Sequence, residues 1–515
     1  MIAYLRPYGL VFVFSAAVLP PTAANTLAQE RETVLDRIVH VEERVILDVP
    51  ETPRLEEGLD LTVHRIDAGG AELYVEEEGS GLPLIVINGG PGGTHHYFHP
   101  WFSRARDYAR VIYYDQRGTG LSDFEPGEEG YSVEQAVADL EAIRIALDVD
   151  KWVLVGYSYG GFLAQYYTTT HPENVAGLVL VGASPNVWTD LGDSRQYDYI
   201  SEAEMGRMRA SREELRALRE EEGWSRDKYL QLLLYNNFIN GDWKRQHFYK
   251  PSPEQFAQIA LYEWVNDRNF NSLLNQSAQK VDLTGAFEDT PIPTLLLEGK
   301  WDLTWGDEKP TLLSRNHPRA RMVVTEDAGH SIYAENPDVF FAELENFVRD
   351  IKPVASSDID AYRRHLDEWR AAWMSSPRYH LRAAGWGKGG SLKIAESYSP
   401  GWLEEISGTT ELVRIGFALY DTEQYAEALD AFTRLEEAAR ADGGERGQAM
   451  ALIWQGHMLD LLGRREEAVA RYQQVVDMGV GGGAQHSQYG LAYQLVPYAT
   501  ERLETPFERV ENREP

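Results

Sequence analysis

Residues 151–161 read Lys-Trp-Val-Leu-Val-Gly-Tyr-Ser-Tyr-Gly-Gly. Lys151–Tyr157 is a short apolar run of the kind that forms a buried strand, and the following Phe-Leu-Ala-Gln-Tyr-Tyr-Thr-Thr-Thr is helix-like. Between them lies Gly156-x-Ser158-x-Gly160, the spacing of a nucleophile elbow in the setting such a turn requires. The turn is too tight for side chains at the glycine positions. It lifts the serine oxygen above the sheet edge and sets a helix N-terminus beneath it, where the helix dipole favours negative charge.

Outward from this stretch, apolar runs alternate with helical ones. Leu61–Asp67 and Ala71–Glu77 read as a hairpin around Gly69-Gly70. Leu84–Asn88, Arg110–Asp115, Ala176–Gly182, Pro293–Glu298 and Arg321–Thr325 read as further strands, and Val133–Leu147 as a helix capped by Ser132. Buried strands alternating with helices predict an α/β fold: a doubly wound, mostly parallel sheet covered on both faces. The roughly hundred residues between Gly182 and Pro293 carry no strand pattern and are charged, then aromatic; they predict a helical cap over the strand ends.

A serine nucleophile needs a base and an orienting acid, which in this architecture follow it in the order Ser, Asp, His. His330 lies just past the strand Arg321–Thr325, and Asp302 just past Pro293–Glu298. Both therefore fall on loops at the sheet edge that carries Ser158. Glu298, Asp307 and Asp327 are rivals to Asp302. An oxyanion hole needs two backbone N–H groups. Tyr159, following the nucleophile, supplies one, and Gly90 in Asn88-Gly-Gly-Pro-Gly-Gly93 is the choice for the other.

These blocks resemble the proline iminopeptidase (prolyl aminopeptidase) family of the α/β-hydrolase fold. That family carries His-Gly-Gly-Pro-Gly, Asp-Gln-Arg-Gly-x-Gly-x-Ser and G-x-S-x-G-G. This chain has Asn88-Gly-Gly-Pro-Gly92, Asp115-Gln-Arg-Gly-Thr-Gly-Leu-Ser122 and the Ser158 elbow. The resemblance covers about residues 60–350. It implies the triad Ser158, Asp302 and His330, and a small peptide with a free N-terminus as substrate. It also implies cap carboxylates that bind the substrate amine: Glu263 beside Trp264 is the best match, with Asp267 and Asp242 behind it. Trp243 and Phe248 are further candidates to line the pocket. Asn88 departs from the family's histidine; its short polar side chain is expected to hydrogen-bond the loop instead. The competing readings are an esterase or amidase with the same triad, and a catalytically inactive hydrolase fold used as a binding module.

The chain has 515 residues, no cysteine, and 49 basic against 81 acidic side chains, a net charge of −32. Disulfides, thiolate metal sites and a cysteine nucleophile are excluded. So negative a chain is a poor partner for nucleic acid or anionic lipid. Residues 1–28 combine Arg6, the apolar stretch Gly9–Leu19 and small residues, the pattern of a cleaved signal peptide, which predicts a secreted or periplasmic protein. No other segment is long and apolar enough to span a membrane. The expected organisation is a hydrolase core over 29–185 and 291–352, a helical cap over 186–290, and an all-helical C-terminal domain over 353–515.

In that last region Gly416, Ala428 and Phe432 are echoed by Gly456, Ala468 and Tyr472 at an offset of 40. Gly, Ala at +12 and an aromatic at +16 resemble the tetratricopeptide repeat, with Ala441–Gly447 lengthening the loop between copies. Such hairpins are candidates for a protein partner or for self-association. Pro377–Pro400 is Gly-rich and reads as irregular. His95, His96 and His99 cluster in sequence, but a zinc site needs a further ligand in a set geometry, and the neighbouring sequence offers none. The sequence therefore predicts neither metal nor cofactor, and places these histidines at the pocket rim.

Overall fold

The computed structural model describes residues 45–124, 130–185, 200–302, 304, 309–385, 387–441, 443–486 and 491–509. The proposed signal peptide and the candidate Asp307 lie outside them. Eight strands form one sheet: β1 Thr62–Asp67, β2 Glu72–Gly79, β3 Leu82–Ile87, β4 Ala109–Tyr114, β5 Trp152–Tyr157, β6 Val175–Val181, β7 Thr294–Gly299 and β8 Arg321–Thr325. Their order is β1-β2-β4-β3-β5-β6-β7-β8. β1 and β2 pair antiparallel with each other, and β2 pairs antiparallel with β4, whereas every later pairing is parallel. All eight predicted strands are present.

The alternation of side chains along each strand builds two cores. Ile85, Ile87, Leu154, Leu178 and Leu180 pack with Leu140, Phe162 and Tyr167 on one face. Leu84, Val86, Val153, Val155, Val179 and Leu297 pack with Phe98, Phe102, Phe340 and Leu344 on the other. β5 and β7 are buried at every position, as a parallel sheet covered on both faces requires. Ser132 caps the helix Val133–Ala146, accepting from the Gln135 N–H at 3.1 Å.

Among the described residues between β6 and β7 there are helices and no strand of the sheet. Glu202–Glu222 starts on a Ser201–Glu204 capping box and stops at Gly223 in the left-handed conformation. Arg226–Ile239, Pro253–Gln258, the wide turn Ile259–Glu263 and Phe270–Ala278 complete this cap. A strap before β1 holds the cap from outside. Asn236 exchanges two hydrogen bonds of 2.8 Å with the Ile46 backbone. Gln258 donates to the Pro53 carbonyl at 2.8 Å and Tyr262 to that of Thr52 at 2.6 Å.

After the sheet the chain is helical. Ser356–Ser375 rides on the hydrolase domain, with Tyr362 donating to the Ala286 carbonyl at 3.1 Å and Trp369 to that of Thr284 at 3.0 Å. Pro377–Ala384 and Gly387–Ser397 form where the sequence reads as irregular. The reason is tertiary: Leu381, Ala384 and Ile394 join Trp402 and Leu412 in a core that overrides the poor helix propensity of glycine. Two helical hairpins follow, Thr409–Asp421 with Tyr425–Ala441 and Glu445–Leu461 with Arg465–Met478. A Cβ on Gly416 would stand 2.7 Å from the Phe432 ring, and one on Gly456 2.5 Å from that of Tyr472. The same close helix contact is thus built twice, as the sequence offset predicts. The region also holds a short antiparallel pair, β9 Gly483–His486 and β10 Leu491–Gln494. No helix among the described residues is long and apolar enough to cross a membrane.

Candidate active site

Ser158 sits between β5 and the helix Tyr159–Thr170 with φ 55° and ψ −119°, a conformation a non-glycine residue adopts at a cost of about 1–3 kcal/mol. The surroundings enforce it. The Ser158 N–H donates to Val181 at 3.0 Å, and its carbonyl accepts from Gly161 at 3.0 Å and Ser184 at 3.1 Å. The flanking glycines are steric necessities. A Cβ on Gly156 would lie 2.4 Å from the Gly160 carbonyl oxygen, and one on Gly160 2.1 Å from that of Ile87.

His330 follows β8, and its Nδ1 lies 2.8 Å from Asp302 Oδ2. A carboxylate only accepts, so Nδ1 carries the proton and Nε2 is left as the basic nitrogen. Asp302 also accepts from the Thr304 N–H at 2.9 Å and from Lys309 Nζ at 2.8 Å. Burial pushes the Asp302 carboxyl up, but His330 and Lys309 outweigh it and hold the group well below the usual carboxylate range. Lys309 bridges to Glu298 behind it, and burial pushes the Glu298 carboxyl up to about 7 despite that ammonium. Of the rivals to Asp302, Glu298 is thus one layer back and Asp327 is exposed.

One cavity of about 290 Å³ is lined by Ser158, His330, Gly90, Tyr97, Tyr157 and Trp264, with Asp242, Arg245 and Gln246 from the cap. Ser158, His330 and the glycine loop, far apart in sequence, therefore meet at one place. Asn88 is fully buried and donates to the Gly93 carbonyl at 2.7 Å, the loop hydrogen bond expected of it. Tyr159 occupies the first position of the helix after Ser158.

The cap residues divide. Trp264 reaches the cavity and meets Tyr97 edge to face at 6.1 Å. Glu263 is partly exposed and is not among the residues lining this cavity, although its charge acts on the phenols of Tyr97 and Tyr157, which do line it. Desolvation pushes its carboxyl up to about 8. Asp242 lines the cavity but is matched by Arg245 at 2.9 Å. Asp267 is spent on a local turn, accepting from the Asn269 N–H at 2.8 Å. Trp243 is buried inside the cap and Phe248 stacks on Trp301 at 5.5 Å, so neither is among the residues lining this cavity. Lys309, Glu298, Tyr97 and Arg245 were not singled out for these roles by the sequence, because nothing local marks them.

The cap is joined directly to the histidine loop. The His330 N–H donates to the Gln246 carbonyl at 2.7 Å. Glu335 accepts from the Phe248 N–H at 3.0 Å, from the Gly329 N–H, and meets His247 Nδ1 at 3.1 Å.

Residues 83–337 match the family model described as the alpha/beta hydrolase fold. The proline iminopeptidase of Xylella fastidiosa is 28% identical over 304 residues, covering 54% of this chain and 93% of the relative. That of Neisseria meningitidis is 29% identical over 301 residues, covering 55% and 93%. A proline iminopeptidase-related protein from Thermus thermophilus is a structural neighbour at 22% identity and a TM-score of 0.43, covering 57% of this chain and 99% of its own. The chain is therefore a hydrolase of the α/β-hydrolase fold, related over that domain to the proline iminopeptidases, with a helical region appended to it.

Proposed function

We propose that the protein is a serine aminopeptidase that releases the N-terminal residue, proline by preference, from small peptides. The observation that carries this is the Asp302–His330 pair at 2.8 Å, set on a cavity shared with Ser158 and the glycine loop. His330 Nε2 removes the Ser158 proton as Oγ attacks the scissile carbonyl carbon. The N–H groups of Gly90 and Tyr159 stabilise the resulting oxyanion. The C–N bond breaks as the imidazolium returns the proton to the leaving amine, and an acyl-enzyme remains on Ser158. Water, deprotonated by His330, attacks that ester and regenerates the serine. Asp302 fixes the imidazole tautomer and balances its transient charge. Serine chemistry of this kind uses no cofactor.

The substrate's free ammonium is met by Glu263. A carboxyl near 8 is largely protonated at neutral pH, and the arriving cation displaces that proton, so amine binding releases H⁺. Trp264 packs against the first side chain. Residues 1–28 direct export and are then removed. The two C-terminal hairpins are tetratricopeptide-like and serve self-association or a protein partner.

The test is a panel of chromogenic aminoacyl amides, their N-blocked counterparts and simple esters, on wild type, Ser158→Ala and Glu263→Gln. The expected result is turnover of free-amine substrates only, lost in Ser158→Ala, with KM raised selectively in Glu263→Gln. Indifference to blocking would move the assignment to an esterase or amidase. Failure of a fluorophosphonate probe to label Ser158 would leave a binding module.

A further inference from the structure

Away from the cavity, folding gathers a second set of titratable side chains beneath the glycine loop. Glu56 comes from the strap, Glu76 from β2, His95, His96 and His99 from the turn after the glycines, and Asp115 from the end of β4. Glu76, the three histidines and Asp115 are at most 1% exposed. None of the six lines the active-site cavity.

His95 is the informative member. Its backbone N–H and its Nδ1 both face Asp115 Oδ1, at 2.8 and 2.9 Å. Nδ1 therefore carries a proton, and in the neutral ring Nε2 is a buried lone pair. That nitrogen has no hydrogen-bond partner. Its neighbours are two further acceptors, Glu76 Oε1 at 3.4 Å and Glu56 Oε1 at 3.5 Å. Charge-assisted hydrogen bonds close to about 2.7–2.9 Å. The observed separations instead match the edge of a tetrahedron, about 3.4 Å, drawn by donors 2.0–2.1 Å from a zinc-like ion. His99 Nε2 supplies a third donor 2.9 Å from Glu76 Oε2, and the donors of Glu76, His95 and His99 all lie within 4.8 Å of one another. A carboxylate only accepts, so at 2.9 Å His99 Nε2 carries the proton, which a metal ion would displace; its Nδ1 has no hydrogen-bond partner.

Charge points the same way. Glu56, Glu76 and Asp115 bring three negative charges, and Arg54, 2.8 Å from Glu56, supplies one positive charge. The remaining two negative charges favour a protonated His95, whose proton one divalent ion would replace. The Asp115–His95 pair has the form of the carboxylate–histidine support that orients metal-bound imidazoles. His96 stands aside, held between Glu56 Oε2 at 2.8 Å and Gln258 Oε1 at 2.7 Å.

We propose that Glu76, His95 and His99 bind one divalent transition-metal ion of the zinc class, with Glu56, whose Oε1 lies 3.5 Å from His95 Nε2, closing on it as the fourth donor. Two imidazoles exclude the oxygen-preferring magnesium and calcium as the fitting ions. Four protein donors close the site, so its role is structural: it ties the strap and β2 to the turn that follows the Gly90 loop.

The test uses the full chain, purified without a polyhistidine tag and stripped with a chelator. Zn²⁺ is titrated by calorimetry, and Co²⁺ serves as an absorption reporter. The expected result is one equivalent bound, four-coordinate Co²⁺ bands, a higher Tm with Zn²⁺ and no response to Mg²⁺. His99→Ala and Glu56→Gln should each weaken Zn²⁺ binding by at least 10-fold. Glu56→Gln alters only the strap and keeps the test decisive should His99→Ala fail to fold. Absence of stoichiometric Zn²⁺ binding would overturn the proposal and leave a protonated ion cluster. So would a titration unchanged in both variants, which would put the metal elsewhere.

Discussion

Glu298→Gln isolates one buried carboxyl behind the Asp302–His330 pair and predicts a pH dependence of definite sign. Glu298 is 1% exposed, and burial pushes its carboxyl up to about 7 from the ordinary 4.5. A group whose folded-state pKa is raised adds stability that is complete below its unfolded pKa and is lost as pH rises through the folded value. For Glu298 that window runs from about pH 4.5 to pH 7. At 1.36 kcal/mol per pH unit the full swing is about 3 kcal/mol, most of it between pH 5 and pH 8. Glutamine keeps the size and removes the titration. Urea unfolding at pH 5 and pH 8 should show wild type losing about 2–3 kcal/mol more than Glu298→Gln over that interval. Asp302, held low by His330 and Lys309, acts with the opposite sign, adding stability above its unfolded pKa that is lost as pH falls; it is common to both proteins and cancels. Parallel pH profiles for the two would refute the reasoning, since Glu298 would then be charged throughout.

Asp302→Asn should lower kcat by about 10⁴-fold with little change in KM, because the imidazole loses its tautomer and its counter-charge; steady-state kinetics with a free-amine substrate decides it. Gly160→Ala drives a Cβ to 2.1 Å from the Ile87 carbonyl oxygen, backbone that cannot yield, and should cost about 1–3 kcal/mol or more together with the activity. Gly456→Ala in a solvated helix would add up to about 1 kcal/mol, but the Tyr472 ring 2.5 Å from the new Cβ should reverse the sign. Thermal unfolding should show a lower Tm with kcat unchanged.

What the sequence made legible was what local geometry dictates. The Ser158 elbow could be read because its turn admits only glycine on either side. The Asp115–Ser122 block could be read because its fixed positions each carry a bond, within the block from Leu121 and Ser122 to Asp115 and outward from Arg117. Arg117 bonds Asp139 at 2.7 Å and the Ala68 carbonyl at 2.6 Å, and Asp115 receives the Leu121 N–H at 2.7 Å. The repeat was visible because one close contact is made twice at a fixed offset. Lys309 was invisible, since its meaning lies in two carboxylates that only folding brings to it. Glu76 and Glu56 were hidden for the same reason, lying 19 and 39 residues before His95 in sequence. Pro377–Pro400 misled because glycine content speaks of propensity, whereas Leu381 and Ile394 decide by burial.

The hydrogen bond from the His330 backbone to Gln246, with Glu335 clasping residues 247 and 248, makes the roof and the His330 loop one mechanical unit. A roof that swung away wholesale would drag the imidazole out of the cavity it shares with Ser158. On the proposed function, peptides therefore reach the cavity without the roof lifting away in one piece.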